Sequence, residues 1–343
     1  MDRKGYLLRR LLLAVPTFLG ITLACFALTR MLPGGPVEIR LARMRAIGGE
    51  GGATAARVAA VTEAQRDELN RQFGFDRPFL EQYARWLVHD RMGLRMASYD
   101  YPNRTAWDLI RSRFPVSLSF GITGALLSYL ICIPLGIAKA LRHGSRFDAV
   151  SSLLVFAGYA LPSFAAGMIL KTLFCGTVDG LWDWFPLGGL SSLEEGPWWR
   201  IWADRARHMA LPVLCYVMGN FAVLTLMMKN SLLDQVGADY IRTVLAKGAS
   251  TRRAMWGHAL RNALIPIATG FGSLLMVLFA GSVVIERIFE IPGMGLLSLS
   301  ALEGRDYAVF MAILSLTATL QLLGNLLSDL CYMWIDPRIH FGE

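Results

Sequence analysis

The sequence is poor in charge. Lys, Arg, Asp and Glu make up 17% of its 343 residues, against roughly 25% in an average soluble domain. A helix rises about 1.5 Å per residue, so about 20 residues without charge can cross a hydrocarbon core of about 30 Å. This excludes a soluble globular, collagen-like or disordered chain and predicts an all-α polytopic membrane protein with six transmembrane helices. They correspond to six charge-free runs: Leu11–Thr29, Phe114–Ala138, Ala149–Leu170, Met209–Met228, Asn262–Ile285 and Tyr307–Ser328.

Motifs for catalysis and metal binding are missing as well. The chain has no Gly-x-x-x-x-Gly-Lys-Ser/Thr phosphate loop, no His-Glu-x-x-His pair and no Gly-x-Ser-x-Gly turn, which are the signatures of nucleotide binding, zinc proteolysis and serine hydrolysis. Its five His and five Cys are dispersed without metal-ligand spacing. We therefore expect no catalytic residue, no metal and no cofactor in this chain, which disfavours a membrane enzyme.

The predicted spans also carry no ionisable group at their midpoints. Proton- or ion-coupled carriers keep such a group inside the membrane as their coupling device, so the energy for any transport must enter elsewhere. Uncharged polar residues remain, and they either join helices by hydrogen bonds or line a substrate path. The candidates for a translocation path are Ser128, Ser163, Asn220, Gln321 and Asn325.

The distribution of Lys and Arg between short loops predicts the orientation. Residues 1–10, 139–148 and 229–261 carry four, three and six basic residues, whereas residues 171–208 and 286–306 together carry six in a longer stretch. Basic residues in short loops stay on the cytoplasmic side, so both termini are expected on the cytoplasmic side of the membrane. The net charge of +8 and the isoelectric point near 9.4 then reflect topology, and no nucleic-acid partner is expected.

This orientation gives the predicted domain organisation. The segment 33–113 is too long for the rule on basic residues to govern, and we place it outside the membrane, with a mobile Gly/Ala-rich insert at 48–60. The remaining parts are a cytoplasmic N-terminus with the first helix at 1–32, a membrane core at 114–329 with a cytoplasmic loop at 229–261, and a cytoplasmic C-terminal end at 330–343.

The loop 229–261 is longer than a helix connection requires. Apolar residues recur at helical spacing from Leu232 to Leu245, Gly248 suits the left-handed end of a helix, and Ser250 is placed to cap a second helix through Ala254 and Leu260. The pattern predicts a helix, a glycine break and another helix. Two interpretations remain open: an amphipathic helix lying on lipid, or a rigid helix pair presented to a groove on a partner protein.

These residues resemble a known family. Asp239–Ser250 (DYIRTVLAKGAS) and His258–Pro266 (HALRNALIP) are similar to the coupling-loop motif of ABC-importer permeases of the dipeptide and oligopeptide branch. Arg242 and Thr243 replace the Glu and Ala of the wider superfamily, which is typical of this branch. Further stretches, including RRLLLAVPT at 9–17, GSRFD at 144–148, GYALP at 158–162 and DPRI at 336–339, most resemble the Yej-type permeases, which are similar to importers of oligopeptides and microcin C.

The resemblance implies a type I importer fold, a place in the bacterial inner membrane and a set of partners. These are a sister permease forming a heterodimer, two cytoplasmic ATPase chains or one fused ATPase that bind ATP and Mg, a periplasmic peptide-binding protein, and membrane lipid. It also implies a coupling helix that docks into the ATPase, with Tyr240, Arg242, Ala246, Lys247, Gly248 and Ser250 as its coupling residues. The alternative is a stand-alone channel or secondary carrier whose helix pair lies on lipid.

Overall fold

The computed structural model of the chain describes residues 3–31, 76–101, 103–178, 181–270 and 281–335. The regular secondary structure in these segments is helical, as the charge-free runs predict. The helices are α1 (Arg3–Met31), α2 (Phe79–Ala84), α3 (Ala106–Leu141), α4 (Arg146–Ala160), α5 (Ser163–Phe174), α6 (Trp198–Val236), α7 (Asp239–Ala246), α8 (Thr251–Arg253), α9 (Leu260–Ala263), α10 (Ile265–Thr269), α11 (Val283–Ile288), α12 (Met294–Glu303) and α13 (Tyr307–Ile335). Single π-helical turns occupy Arg85–His89 and Ala254–Ala259.

Four described helices are long and apolar enough to cross a membrane: α1 from Leu8, α3, α6, and α13 up to Cys331. They contain the first, second, fourth and sixth charge-free runs. The polytopic character predicted from composition is thereby confirmed. Within the fifth run, residues 271–280 lie outside the described part of the chain, as do the insert at 48–60 and the C-terminal motif at 336–339.

The third charge-free run is not one straight helix. It is divided between α4 and α5, which meet at an angle of 92° and make a fifth span only if counted together. The break lies at Leu161 and Pro162, where Leu161 adopts an extended conformation with φ −87° and ψ 115°. Proline lacks the N–H that would continue the helix and disfavours the helical conformation of the residue before it.

The chain divides into two compact units. The first comprises Met1–Leu11, Arg113–Leu296 and Leu320–Glu343, and the second comprises Leu12–Ser112 and Leu297–Thr319. The first unit contains the loop 229–261 and two buried apolar clusters. One cluster is centred on Phe120, Cys215 and Phe289. The other is centred on Met228, Leu232 and Ile241, and it supports the helices of the loop.

A buried carboxylate, Glu286, links three elements of the first unit. It is 1% exposed, and it accepts hydrogen bonds from Ser117 Oγ on α3 at 2.9 Å and from the Leu296 amide in the first turn of α12 at 2.7 Å. Burial raises the pKa of this carboxyl, and its hydrogen bonds oppose that shift. Gly293 leaves the room that the carboxylate needs, because a Cβ there would lie 2.5 Å from it.

The second unit is held by an aromatic cluster and a buried acid. The rings of Phe26 and Trp86 have their centroids 5.8 Å apart, and Tyr83 stacks on Trp86 at the same distance. Asp306 is buried and accepts hydrogen bonds from the Ser98 hydroxyl and from the Tyr99 amide. These contacts fix the described part of the segment 33–113.

Candidate functional site

The loop 229–261 has the predicted order of helix, glycine break and helix. The helix α7 ends at Ala246, and Gly248 follows with φ +86°, a left-handed conformation that glycine adopts without strain. The Ser250 hydroxyl then accepts a hydrogen bond from the Arg253 amide and caps α8. The apolar residues from Leu232 to Leu245, however, do not lie on one continuous helix, because α6 ends at Val236 and α7 starts only at Asp239.

Tyr240 anchors α7 to its neighbours. Its hydroxyl donates a hydrogen bond to Gln235 Oε1 at 2.8 Å and accepts one from Asn262 Nδ2 at 3.1 Å. Gln235 lies in the last turn of α6 and Asn262 lies in α9, so one phenol joins α6, α7 and α9. Ser231 Oγ adds a second tie by donating to the Ala263 carbonyl at 2.8 Å. The helix pair is therefore fixed to the end of α6 rather than hinged on it.

The two faces of α7 differ. Ile241 is 3% exposed and packs in the cluster with Met228 and Leu232. On the other side Arg242, Ala246, Lys247 and Gly248 are exposed. Two large apolar side chains are also exposed in this loop, Leu245 at 40% and Trp256 at 54%. Trp256 was not singled out from the sequence, although an indole within a basic loop segment is a signal that could have identified it.

The basic side chains of the loop are mostly without acidic partners. Arg242 makes an exposed contact of 3.4 Å with Asp239 on its own helix. Within the described part of the chain, no carboxylate pairs with the other exposed cations of the loop, which are Lys247, Arg252, Arg253 and Arg261. The exposed surface around α7 and α8 is therefore positive and partly apolar, which is suited to an acidic partner with an apolar groove.

A buried ion cluster lies beside this loop. Asp148 at the start of α4 contacts Lys229 Nζ with both carboxylate oxygens at 2.8 Å, and Lys139 Nζ at 3.2 Å. The Lys139 side chain is 0% exposed, and it also donates hydrogen bonds to Ser151 Oγ, Ser152 Oγ and the Asp148 carbonyl. We refer to Asp148, Lys139 and Lys229 as the Asp148 clamp. It connects the ends of α3, α4 and α6.

The clamp is continuous with the core that carries α7. Lys139 precedes Ala140 and Lys229 follows Met228 in the sequence, and both of these neighbours belong to the apolar cluster that buries Ile241. A displacement of α3 against α6 at this level would therefore change the packing under α7. The clamp was not predicted from the sequence.

A second feature is a cavity of about 190 Å³ between α3, α6 and α10. It brings together two of the five predicted path residues, Ser128 and Asn220, beside Tyr129 and Tyr216. Among the described lining residues there is no Asp, Glu, Lys, Arg or His. The cavity offers neutral hydrogen-bonding groups in an apolar wall.

The other predicted path residues lie elsewhere. Ser163 is the first residue of α5, just after the bend. Gln321 and Asn325 lie on α13, where Gln321 Nε2 donates a hydrogen bond to Asn325 Oδ1 at 3.0 Å. The described residues form no group of three or more His, Cys, Asp or Glu side chains that could hold a metal ion.

Comparison with known proteins gives consistent matches. The family described as binding-protein-dependent transport system inner membrane component matches residues 132–341. The peptidoglycan transport system permease protein YejB of Agrobacterium fabrum is 36% identical over 98% of both chains. The inner membrane ABC transporter permease protein YejB of Escherichia coli O157:H7 is 36% identical over 98% of this chain and 99% of its own. The dipeptide transport system permease protein DppB of Escherichia coli K12 is 35% identical over 97% and 98%.

Proposed function

The chain belongs to the family of binding-protein-dependent transport system inner membrane components, and from this premise we propose how it works as the permease subunit of an ABC importer of peptides. The substrates are oligopeptides or peptide-like compounds such as microcin C. The chain forms half of the pathway, with a sister permease as the other half. A periplasmic binding protein delivers the peptide, and separate ATPase subunits, either two chains or one fused chain, hydrolyse ATP.

The proposed coupling role is supported chiefly by the helix α7, which has one side fixed to the rest of the chain and one side exposed. Its inner side is fixed by Ile241 and by the two hydrogen bonds of Tyr240, while Arg242 and Lys247 are exposed. A helix held in this way transmits force from a docked ATPase to α6 and α9 without bending independently. These exposed cations suit an ATPase groove with acidic residues at its rim.

The cavity between α3, α6 and α10 supports the proposed path. Its neutral hydroxyl and amide groups, with Ser128 and Asn220 among them, can hydrogen-bond a peptide backbone, which is common to all peptides. Because no fixed charge lines the described wall, a peptide of either charge can be admitted and released. Ser163, Gln321 and Asn325 lie outside this wall and have a weaker claim to the path.

We also propose six spans with both termini in the cytoplasm of the inner membrane, the fifth crossing within residues 262–285. The distribution of basic residues between the short loops supports this orientation. Reporter fusions after residues 145 and 250 are expected to report cytoplasm, and fusions after residues 60 and 190 the outside. A reversed pattern would contradict the orientation and the coupling role together.

The coupling role is tested by replacing Gly248 with leucine. At φ +86° a side chain costs about 1–2 kcal/mol of backbone strain, although nothing lies within 4 Å of a Cβ built there. We expect the complex to assemble with its ATPase subunits, and peptide uptake and peptide-stimulated ATP hydrolysis to be lost. Gly248→Asn should retain most of the uptake, because asparagine tolerates this conformation better.

The matched control for this variant is Gly189→Leu. Gly189 has the same φ of +86° and equally open space around its Cβ position, but it lies between α5 and α6, outside the loop 229–261. The control should keep uptake close to that of the unmodified protein. Normal uptake by Gly248→Leu, or equal losses in both variants, would refute the special role of the glycine break.

A further inference from the structure

A large apolar groove runs along the first unit, separate from the cavity described above. It has a volume of about 540 Å³ and lies between α3 and α6. Leu127 and Ile131 line it on α3, and Met209 and Leu214 line it on α6. At the start of the groove on α6 stand Trp202 and Arg205. The groove is therefore apolar along most of its length and cationic and aromatic at one end.

The cationic end lies just before the charge-free run of α6. The charge-free run of α6 begins at Met209, and Arg205 precedes it by four residues, or about 6 Å along a helix. The headgroup region on each side of the hydrocarbon core is about 5–8 Å thick. With the hydrocarbon taken to begin at Met209, the Arg205 guanidinium is expected at the level of the lipid headgroups and the apolar lining from Met209 onward in the hydrocarbon.

Arg205 is available for a ligand. Among the described residues no carboxylate pairs with it. The adjacent Asp204 is engaged elsewhere, accepting hydrogen bonds from Ser191 Oγ and the Ser192 amide at 2.7 Å each. The guanidinium carbon lies 5.9 Å from the ring centroid of Trp202, which is itself 64% exposed. An exposed tryptophan beside an arginine is typical of a membrane interface.

The extent and lining of the groove suit an acyl chain. The groove follows α6 from Trp202 to Val217, which is about 22 Å at the helical rise. The part from Met209 to Val217, about 12 Å long, belongs to the charge-free run of α6 and fits within the ~15 Å of one hydrocarbon leaflet. An acyl chain that enters beside Arg205 would therefore lie against apolar side chains of α3 and α6.

We propose that this groove is a specific phospholipid site, in which one acyl chain lies along α6 and the phosphate is bound by Arg205. A phosphate accepts the two parallel N–H donors of a guanidinium, and its negative charge matches a cation that pairs with no carboxylate among the described residues. The Trp202 indole borders the headgroup. This site goes beyond general contact with lipid, because it predicts retention of a phospholipid when detergent removes the rest.

The test measures bound lipid rather than transport, so its outcome does not depend on the proposed import function. The purified permease complex is titrated in detergent with dioleoylphosphatidylglycerol, and the bound lipid is counted by native mass spectrometry. The unmodified complex should retain one tightly bound lipid for this groove. Arg205→Gln should weaken binding about tenfold, as expected for losing one charge-assisted bidentate contact, and Ala210→Trp should abolish it by filling the groove.

The matched control is Arg200→Gln. Arg200 lies on the same helix and is stacked over Trp199 at 5.0 Å, but it does not line the groove. Its variant should bind the lipid like the unmodified complex. Equal binding by Arg205→Gln and Arg200→Gln would overturn the proposal. So would efficient disulfide cross-linking of Leu214→Cys to the sister permease, because a protein segment would then occupy the groove.

Discussion

Replacing Asp148 with asparagine is the sharpest test of how the first unit is held together. The substitution keeps the shape of the side chain and removes its charge, leaving Lys229 and Lys139 without an anion. Lys229 depends on Asp148, which supplies both of its short contacts at 2.8 Å. Lys139 depends on it less, because three other oxygens accept its hydrogen bonds.

The magnitude follows from burial. The side chains of Asp148 and Lys229 are 8% and 12% exposed, and breaking such a pair by removing one partner costs about 3–5 kcal/mol. Since Lys139 keeps its other acceptors, we expect the lower value, about 3 kcal/mol. With an unfolding entropy of about 2.1 cal/mol/K per residue, this corresponds to a fall of about 4 °C in the melting temperature of a chain of 343 residues.

The assay is thermal unfolding of the purified complex, with two comparisons. Glu81→Gln removes an exposed pair with Arg77 at 2.6 Å and should cost less than about 0.5 kcal/mol. In the double variant Asp148→Asn, Lys229→Met the stranded cation is also removed. The double variant should recover about half of the fall in melting temperature, because replacing a buried ion pair by apolar groups is often neutral or stabilising.

The clamp also makes a functional prediction. Because its lysines adjoin the cluster under α7, Asp148→Asn should lower the number of peptides imported per ATP hydrolysed in proteoliposomes, beyond the loss of folded protein. A melting temperature within 1 °C of that of Glu81→Gln, or a double variant less stable than the single one, would refute the reasoning on stability. An unchanged ratio would refute the link to coupling.

Three smaller predictions follow from local geometry. Gly293→Ala places a Cβ 2.5 Å from the Glu286 carboxyl and should cost about 1–3 kcal/mol in thermal unfolding, whereas Gly158→Ala, with open space around it, should be neutral or slightly stabilising. Ser250→Ala removes the cap of α8 and should cost about 1 kcal/mol, seen as faster amide exchange at Arg253. Tyr240→Phe breaks both phenol hydrogen bonds and should cost about 1–3 kcal/mol; an unchanged melting temperature would exclude its anchoring role.

The membrane class and the helix pair of the loop could be predicted from the sequence because their causes are local. A run without charge determines whether a helix can cross lipid, whatever it packs against. The break at Gly248 and the cap at Ser250 depend on backbone conformation and on a contact three residues along the chain. The same reasoning failed at Gly237, where α6 ends and a continuous apolar pattern had indicated one helix.

The Asp148 clamp and the Glu286 site could not be predicted because their partners are distant in sequence. Asp148 is 81 residues from Lys229, and Glu286 is 169 residues from Ser117. Read from the sequence alone, Lys139 and Lys229 were only two of the basic residues that set the orientation. The structure shows that these two are buried or nearly buried in ion pairs, while Lys247 and Arg253 are exposed.

This division of the basic residues bears on the proposed coupling between α7 and the cavity. The clamp fixes α3 against α6 at the level of the loop, and the cavity containing Ser128 and Asn220 lies between the same two helices further along them. Ser128 precedes Lys139 by eleven residues on α3, and Asn220 precedes Lys229 by nine on α6, which is about 14–17 Å at the helical rise. In the proposed coupling role, a shift of α6 driven through α7 is expected to act on both walls of the cavity, because the clamp joins α3 to α6 and would make the two helices move together.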